Sequence, residues 1–141
     1  MSLSSIVRLN SLGGSMKIKY SQTEEFKKDF KKLEKKYRTL KDDLLVAQRN
    51  AIEIFHINKL DNRSVFEITD VGSCESVRFY VLKKFACKSL KGRGSNSGIR
   101  ITYAFIPDEN RVVYIEIYFK GKQEVEDKER IIKVREEVLR E

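Results

Sequence analysis

Two cysteines and one histidine are all that this chain offers to redox or metal chemistry. Cys74 and Cys87 stand too far apart for a C-x-x-C pair. With His56 they make a set one ligand short of a structural zinc site. The expectation is a cytoplasmic protein with reduced thiols, no metal and no cofactor. A lone histidine and the lack of a G-x-S-x-G elbow leave serine-hydrolase chemistry without its parts. His56 falls at the end of an expected helix, where a cation offsetting the helix dipole is a plainer reading than catalysis. Long apolar runs are missing too: none approaches the ~20 residues that span a bilayer. At the N-terminus Arg8 and Asn10 interrupt Ile6, Val7 and Leu9, which denies that stretch the apolar core of a signal peptide. A membrane protein and a secreted disulfide scaffold are both excluded.

Charge, by contrast, is plentiful. Of the 141 residues 35% are charged, and 29 Lys and Arg against 21 Asp and Glu leave a net charge of +8. Such a surface favours polyanionic partners. The length suits one domain, and a 40% hydrophobic content suffices for a core. Residues 1–15 read as an appendage or tag-like segment joined through Gly13-Gly14-Ser15, with a single domain over 16–141.

The alternation Lys17, Ile18, Lys19, Tyr20 predicts a first strand. Ser21 followed by Glu24 has the form of a capping box. Phe26, Phe30, Leu33, Tyr37 and Leu40 then recur at helical spacing. Thr39 and Asp42 offer a second cap, so the pattern divides into two helices that should form an antiparallel hairpin; the second carries Leu44, Leu45, Ala47, Ala51, Ile52 and Phe55. Strands are expected over Val65–Thr69, Val77–Phe85, Ile99–Ile106 and Val112–Phe119, the last two joined as a hairpin by Pro107-Asp108-Glu109-Asn110. An amphipathic helix over Asp127–Leu139 closes the chain. This order predicts an α+β domain in which an N-terminal strand and a two-helix hairpin pack on a small antiparallel sheet, with a C-terminal helix. In the last strand Ile115, Ile117 and Phe119 should face the core, leaving Tyr118 nearer solvent beside Tyr114 and Glu116.

Two stretches concentrate positive charge. The lysines of the first helix are interleaved with Glu24, Glu25, Asp29 and Glu34, so a solvated helix face explains them. From Lys83 to Arg100, in contrast, come Lys83, Lys84, Lys88, Lys91, Arg93 and Arg100 with no acidic residue, alongside Gly92, Gly94 and Gly98. Unpaired cations beside accessible backbone N–H groups suit phosphate oxygens. Solvated loop lysines are the equal alternative on charge alone. A P-loop is excluded, because a strand follows and no G-K-[ST] occurs. An RNA surface would also need some of Tyr80, Tyr103, Tyr114, Tyr118 and Phe119 exposed beside the cations.

The run L-K-G-R-G-S-N-S-G-I-R-I-T-Y-A-F from Leu90 to Phe105 resembles the RelE/ParE toxin superfamily, as does R-V-V-Y-I-E-I-Y-F-K-G-K from Arg111 to Lys122. The segment E-E-F-K-K-D-F-K-K-L from Glu24 is similar to the family's first helix, and the resemblance extends over Lys17 to Ile132. It implies a RelE-like toxin of a type II toxin–antitoxin system: a ribosome-dependent mRNA endoribonuclease that inhibits translation. The partners it implies are an antitoxin protein and mRNA on the ribosome, with no membrane; a homo-oligomer is left open. In such cleavage the RNA 2′-OH attacks the adjacent phosphate. A base takes its proton, cations stabilise the added charge, and an acid protonates the leaving 5′-oxygen. RelE-like enzymes use lysines, arginines and a tyrosine, without metal.

By that resemblance Arg100 falls on the strand arginine that stabilises the phosphate. Lys91 and Arg93 fall on two upstream basic positions, one a base and the other a charge stabiliser; the family has lysine where Arg93 stands, and arginine stays charged. Lys120 or Lys122 takes the basic position after the last strand. Glu126 and Asp127 stand where the family's C-terminal tyrosine falls, which leaves Tyr118 as the candidate. Lys83, Lys84, Lys88 and Lys122 are the expected RNA-binding cations. The alternatives are a ParE-like toxin that binds a protein target such as DNA gyrase without catalysis, and a catalytically weak relative that binds RNA.

Overall fold

The computed structural model describes residues 17–94, 96–123 and 125–140; the expected appendage at 1–15 lies outside them. In chain order the elements are β1 (Lys19–Gln22), α1 (Glu24–Lys36), α2 (Leu40–Ala47), a π-helical turn (Gln48–Ile52), α3 (Glu53–His56), β2 (Val65–Glu67), β3 (Arg78–Leu82), β4 (Ile99–Ile106), a 3-10 turn (Pro107–Glu109), β5 (Arg111–Phe119) and α4 (Lys128–Arg140). The class is α+β. Among the described residues no helix is long and apolar enough to cross a membrane.

The sheet has the order β1-β5-β4-β3-β2. It is mixed, which corrects the expected antiparallel sheet: β1 runs parallel to β5, with Lys19 opposite Arg111 and Gln22 opposite Tyr114. Alternation in a sequence is the same read in either direction, so it could not give the sense of β1. What fixes β1 beside β5 is a shared face, where Tyr20 stacks on Tyr114 with ring centroids 5.8 Å apart.

Because β1 extends to Gln22, α1 starts later than the Ser21 cap allows. Thr23 takes that role: its backbone is extended, and its Oγ1 accepts from the Phe26 N–H at 3.1 Å. Thr39 stands at the start of α2 without a side-chain cap. Its hydroxyl instead donates to Asp43 at 2.7 Å. The second helix, expected to be continuous, is divided by the π-helical turn.

The helices cover one face of the sheet, where Phe26, Leu40 and Ile52 pack with Leu82, Ile101 and Tyr103. On the other face Ile131 and Val134 of α4 pack with Phe79, Val81, Ala104, Ile106 and Ile115. The β4–β5 ladder is irregular between Thr102 and Tyr103: Thr102 pairs with Glu116 and Tyr103 with Tyr114, so Ile115 is an extra, unpaired residue. Such a bulge shifts the alternation by one. Tyr114 and Ile117 therefore share the helix-covered face, although they lie an odd number of residues apart. Tyr118 is only 6% exposed, which overturns the expectation that it lies near solvent.

At this bulge both layers meet. The Ile115 carbonyl accepts from Arg130 Nη2 of α4 at 2.7 Å. Arg130 Nη1 also donates to Asp29 of α1 at 2.9 Å.

Candidate nucleic-acid interface

Alternation along β4 puts Arg100 on the same face as Ala104 and Ile106. The apolar cluster around α4 takes in the latter two but not Arg100, and it stops short of Tyr118 at the end of β5 and of Lys120 just beyond it. At this uncovered end of the sheet lies a groove of about 360 Å³ lined by Phe66, Lys83, Lys84, Asn96, Gly98, Arg100 and Lys120. The antiparallel order explains the convergence: the C-terminal ends of β3 and β5 flank the N-terminal end of β4. Lys83 and Lys84 follow β3 directly, Gly98 precedes β4, and Lys120 follows β5.

Backbone bonds fix these walls. The Lys120 N–H donates to the Gly98 carbonyl at 2.8 Å, and the Lys83 N–H to the Ser64 carbonyl at 2.8 Å. The Ser97 hydroxyl donates to the Phe85 carbonyl and accepts from the Ile99 N–H. Gly98 has φ of +86°, and a Cβ there would lie 3.0 Å from the Phe119 ring, so the position calls for glycine twice over.

Among the described residues no carboxylate lines the groove, and none pairs with Lys83, Lys84, Arg100 or Lys120. The Lys83 Nζ lies 4.9 Å from the centroid of the Phe66 ring. Cations gathered without counter-charges in a concave site raise the local potential and draw in anions. Chemically the groove can hold a phosphate through charge-assisted hydrogen bonds.

The candidate site residues of the sequence do not all meet. Arg100, Lys120, Lys83 and Lys84 converge on the groove. Lys91 and Arg93 are exposed on the glycine loop and do not line it. Lys88 is held elsewhere by its backbone, its N–H donating to buried Asp43 at 3.2 Å. Lys122 and Tyr118 line a second groove of about 410 Å³ that also includes Lys32, Lys36 and Arg130. Burial pushes the Tyr118 phenol up to about 12; the Glu126 carboxylate acts in the same sense and the Arg100 guanidinium against it. Tyr118 stands directly opposite Arg100 on the β4–β5 ladder, yet its hydroxyl makes no well-formed hydrogen bond among the described atoms.

His56 belongs to the opposite face. Its Nε2 lies 2.8 Å from the Tyr103 hydroxyl, and its ring stacks on Phe105 with centroids 4.1 Å apart. Burial, with Lys59 adding to it, lowers its pKa to about 4. The ring is therefore neutral at pH 7, which replaces the reading of a helix-terminal cation with that of a core residue. Among the described residues no three of His, Cys, Asp and Glu gather where a metal ion could be held.

Tyr80, Tyr103, Tyr114 and Tyr118 are buried and Phe119 is partly so. The aromatic residue beside the cations is instead Phe66, which sequence reasoning missed. The signal was there: Val65 is a natural core residue, and in a strand its neighbour must face the other way. The chain matches no family model, and no curated protein or solved structure matches it.

Proposed function

We propose that this protein is a RelE-like toxin, a metal-independent endoribonuclease whose active site is the basic groove. The observation that carries the reading is the convergence of Lys83, Lys84, Arg100 and Lys120 on one groove with no carboxylate in its lining among the described residues. At the level of fold the α+β class, with helices on both faces of the sheet, supports the reading. Arg100, projecting from the middle strand of the site, is the rigidly placed cation for the scissile phosphate, and Lys120 flanks it.

In the reaction the 2′-oxygen forms a bond to phosphorus as the bond from phosphorus to the 5′-oxygen breaks. A general base takes the 2′-hydroxyl proton, and the leaving oxygen takes a proton from a lysine ammonium of the groove. The products are a 2′,3′-cyclic phosphate and a 5′-hydroxyl. Arg100 serves as electrostatic stabiliser of the added charge, since its guanidinium does not give up a proton. An acidic antitoxin segment laid over the groove would mask the same charge and silence it.

The test is 5′-end mapping of mRNA in a translation extract given wild type or Arg100→Ala. New ends that require both ribosomes and Arg100 are expected. A second reading, binding without cleavage, is favoured by one observation: among the described residues no histidine, carboxylate or tyrosine lines the groove. RNA left intact by folded wild-type protein would select it.

A further inference from the structure

We infer that Phe66 is a stacking platform for a nucleobase, so that the groove receives a single-stranded nucleotide segment with its base on the ring and its phosphate among the cations. This rests on the reading of the groove as an RNA site and adds to it the part of the nucleotide that is not phosphate. Among the described residues Phe66 is the one exposed aromatic, at 40%. Its exposure is a product of the fold. Val65 packs into the core beneath the helices, and Phe66 faces the other way, outside the cluster that α4 gathers. The ring thus contributes to neither core, yet it lines the groove beside Lys83, Lys84, Arg100 and Lys120.

A free phosphate or an acidic peptide would answer the cations and leave the ring wet. A nucleotide answers both. Every base has a flat π-face that stacks on an aromatic ring whatever its sequence. The Lys83 ammonium, now over the ring, gains a phosphate oxygen as the base takes its place, so neither group is left without a partner. The base must be unpaired to lie flat on a side chain, which selects single strands over duplex.

The experiment titrates the full chain into a short single-stranded RNA carrying 2-aminopurine at each position in turn. Wild type should quench the probe at one position. Phe66→Leu should lose that quench and bind about tenfold more weakly, while Phe66→Tyr should keep both. An abasic site at the quenched position should weaken wild type by the same factor and leave Phe66→Leu unchanged, since the two changes remove one interaction. If Phe66→Leu binds and quenches like wild type while Arg100→Ala binds weakly, the RNA groove stands and the stacking platform is overturned. Equal losses in Phe66→Leu and Phe66→Tyr would also overturn it, assigning the ring to packing. Wild type that binds no RNA overturns the groove reading itself.

Discussion

Beneath the helices, His56, Tyr80, Tyr103 and Phe105 lie ring against ring, and the histidine has its hydrogen bond to Tyr103. At the open end of the opposite face Lys83, Lys84, Arg100 and Lys120 surround a groove with no counter-charge among the described residues. The first group holds the chain's lone histidine, the second its most frequent residue, lysine. Rarity is therefore no guide to function here; an unmet demand for a partner is. The lysines of α1 make the same point from a third position. Lys27 lies 3.5 Å from Glu24, on a helix whose acids are spaced among its cations.

The sharpest way to break this contrast is to remove charge from each region in turn. Arg100→Ala should lower affinity for single-stranded RNA by roughly 10- to 100-fold, the worth of a charge-assisted hydrogen bond. The slope of log affinity against log salt should also flatten, by about 0.7 for each phosphate that is no longer neutralised. Replacing both Lys27 and Lys31 with Gln should change affinity by no more than about threefold, in the range of exposed pairs. Fluorescence titration at several salt concentrations checks both, and equal losses would erase the distinction.

Next in size is the pH response of the buried ring. His56 has a folded pKa lowered to about 4, so between that value and its unfolded value near 6.5 the unfolded chain binds the extra proton. Stability from this group is full above that window and is lost as pH falls through it, by up to roughly 3 kcal/mol. His56→Gln should remove this component, which urea unfolding of both proteins at neutral and acidic pH would reveal as a smaller pH slope in the variant.

Gly98→Ala tests the floor of the groove. A left-handed backbone carrying a Cβ costs about 1–2 kcal/mol, and the Phe119 ring must also yield. A lowered unfolding midpoint is expected, with weaker RNA binding as the wall shifts. The smallest effect belongs to Tyr118→Phe. Deleting a hydroxyl without a well-formed hydrogen bond should alter stability by less than about 0.5 kcal/mol and, on the proposed function, leave cleavage unchanged. A hundredfold loss of cleavage rate in the folded variant would return the phenol to the chemistry.

Much of this was legible in the sequence, and the gaps have physical causes. The β4–β5 hairpin was plain, because alternation and Pro107-Asp108-Glu109-Asn110 are local signals. The one-residue slip at Ile115 was not, since it is set by pairing across strands; it is why Tyr114 joins Ile117 on the helix-covered face. The π-helical turn in the second helix likewise leaves the apolar spacing almost unchanged. At the site, Arg100, Lys83 and Lys84 emerged from a lack of nearby acids, and Lys120 from the family resemblance alone. Lys91 and Arg93 share that property but are on a loop that carries them away from the groove. Charge patterning identifies cations without partners, and only topology decides which of them meet.

Arg130 carries a consequence for how the molecule comes apart. It reaches around the sheet margin from one layer to the other, gripping the Ile115 carbonyl and Asp29 at once. The helices on the two faces are thereby laced through a single side chain, and neither can peel away without tearing that lace. Amide hydrogens in α1 and α4 should then exchange with solvent as one cooperative unit, and Arg130→Met should let the terminal helix open alone, ahead of the rest.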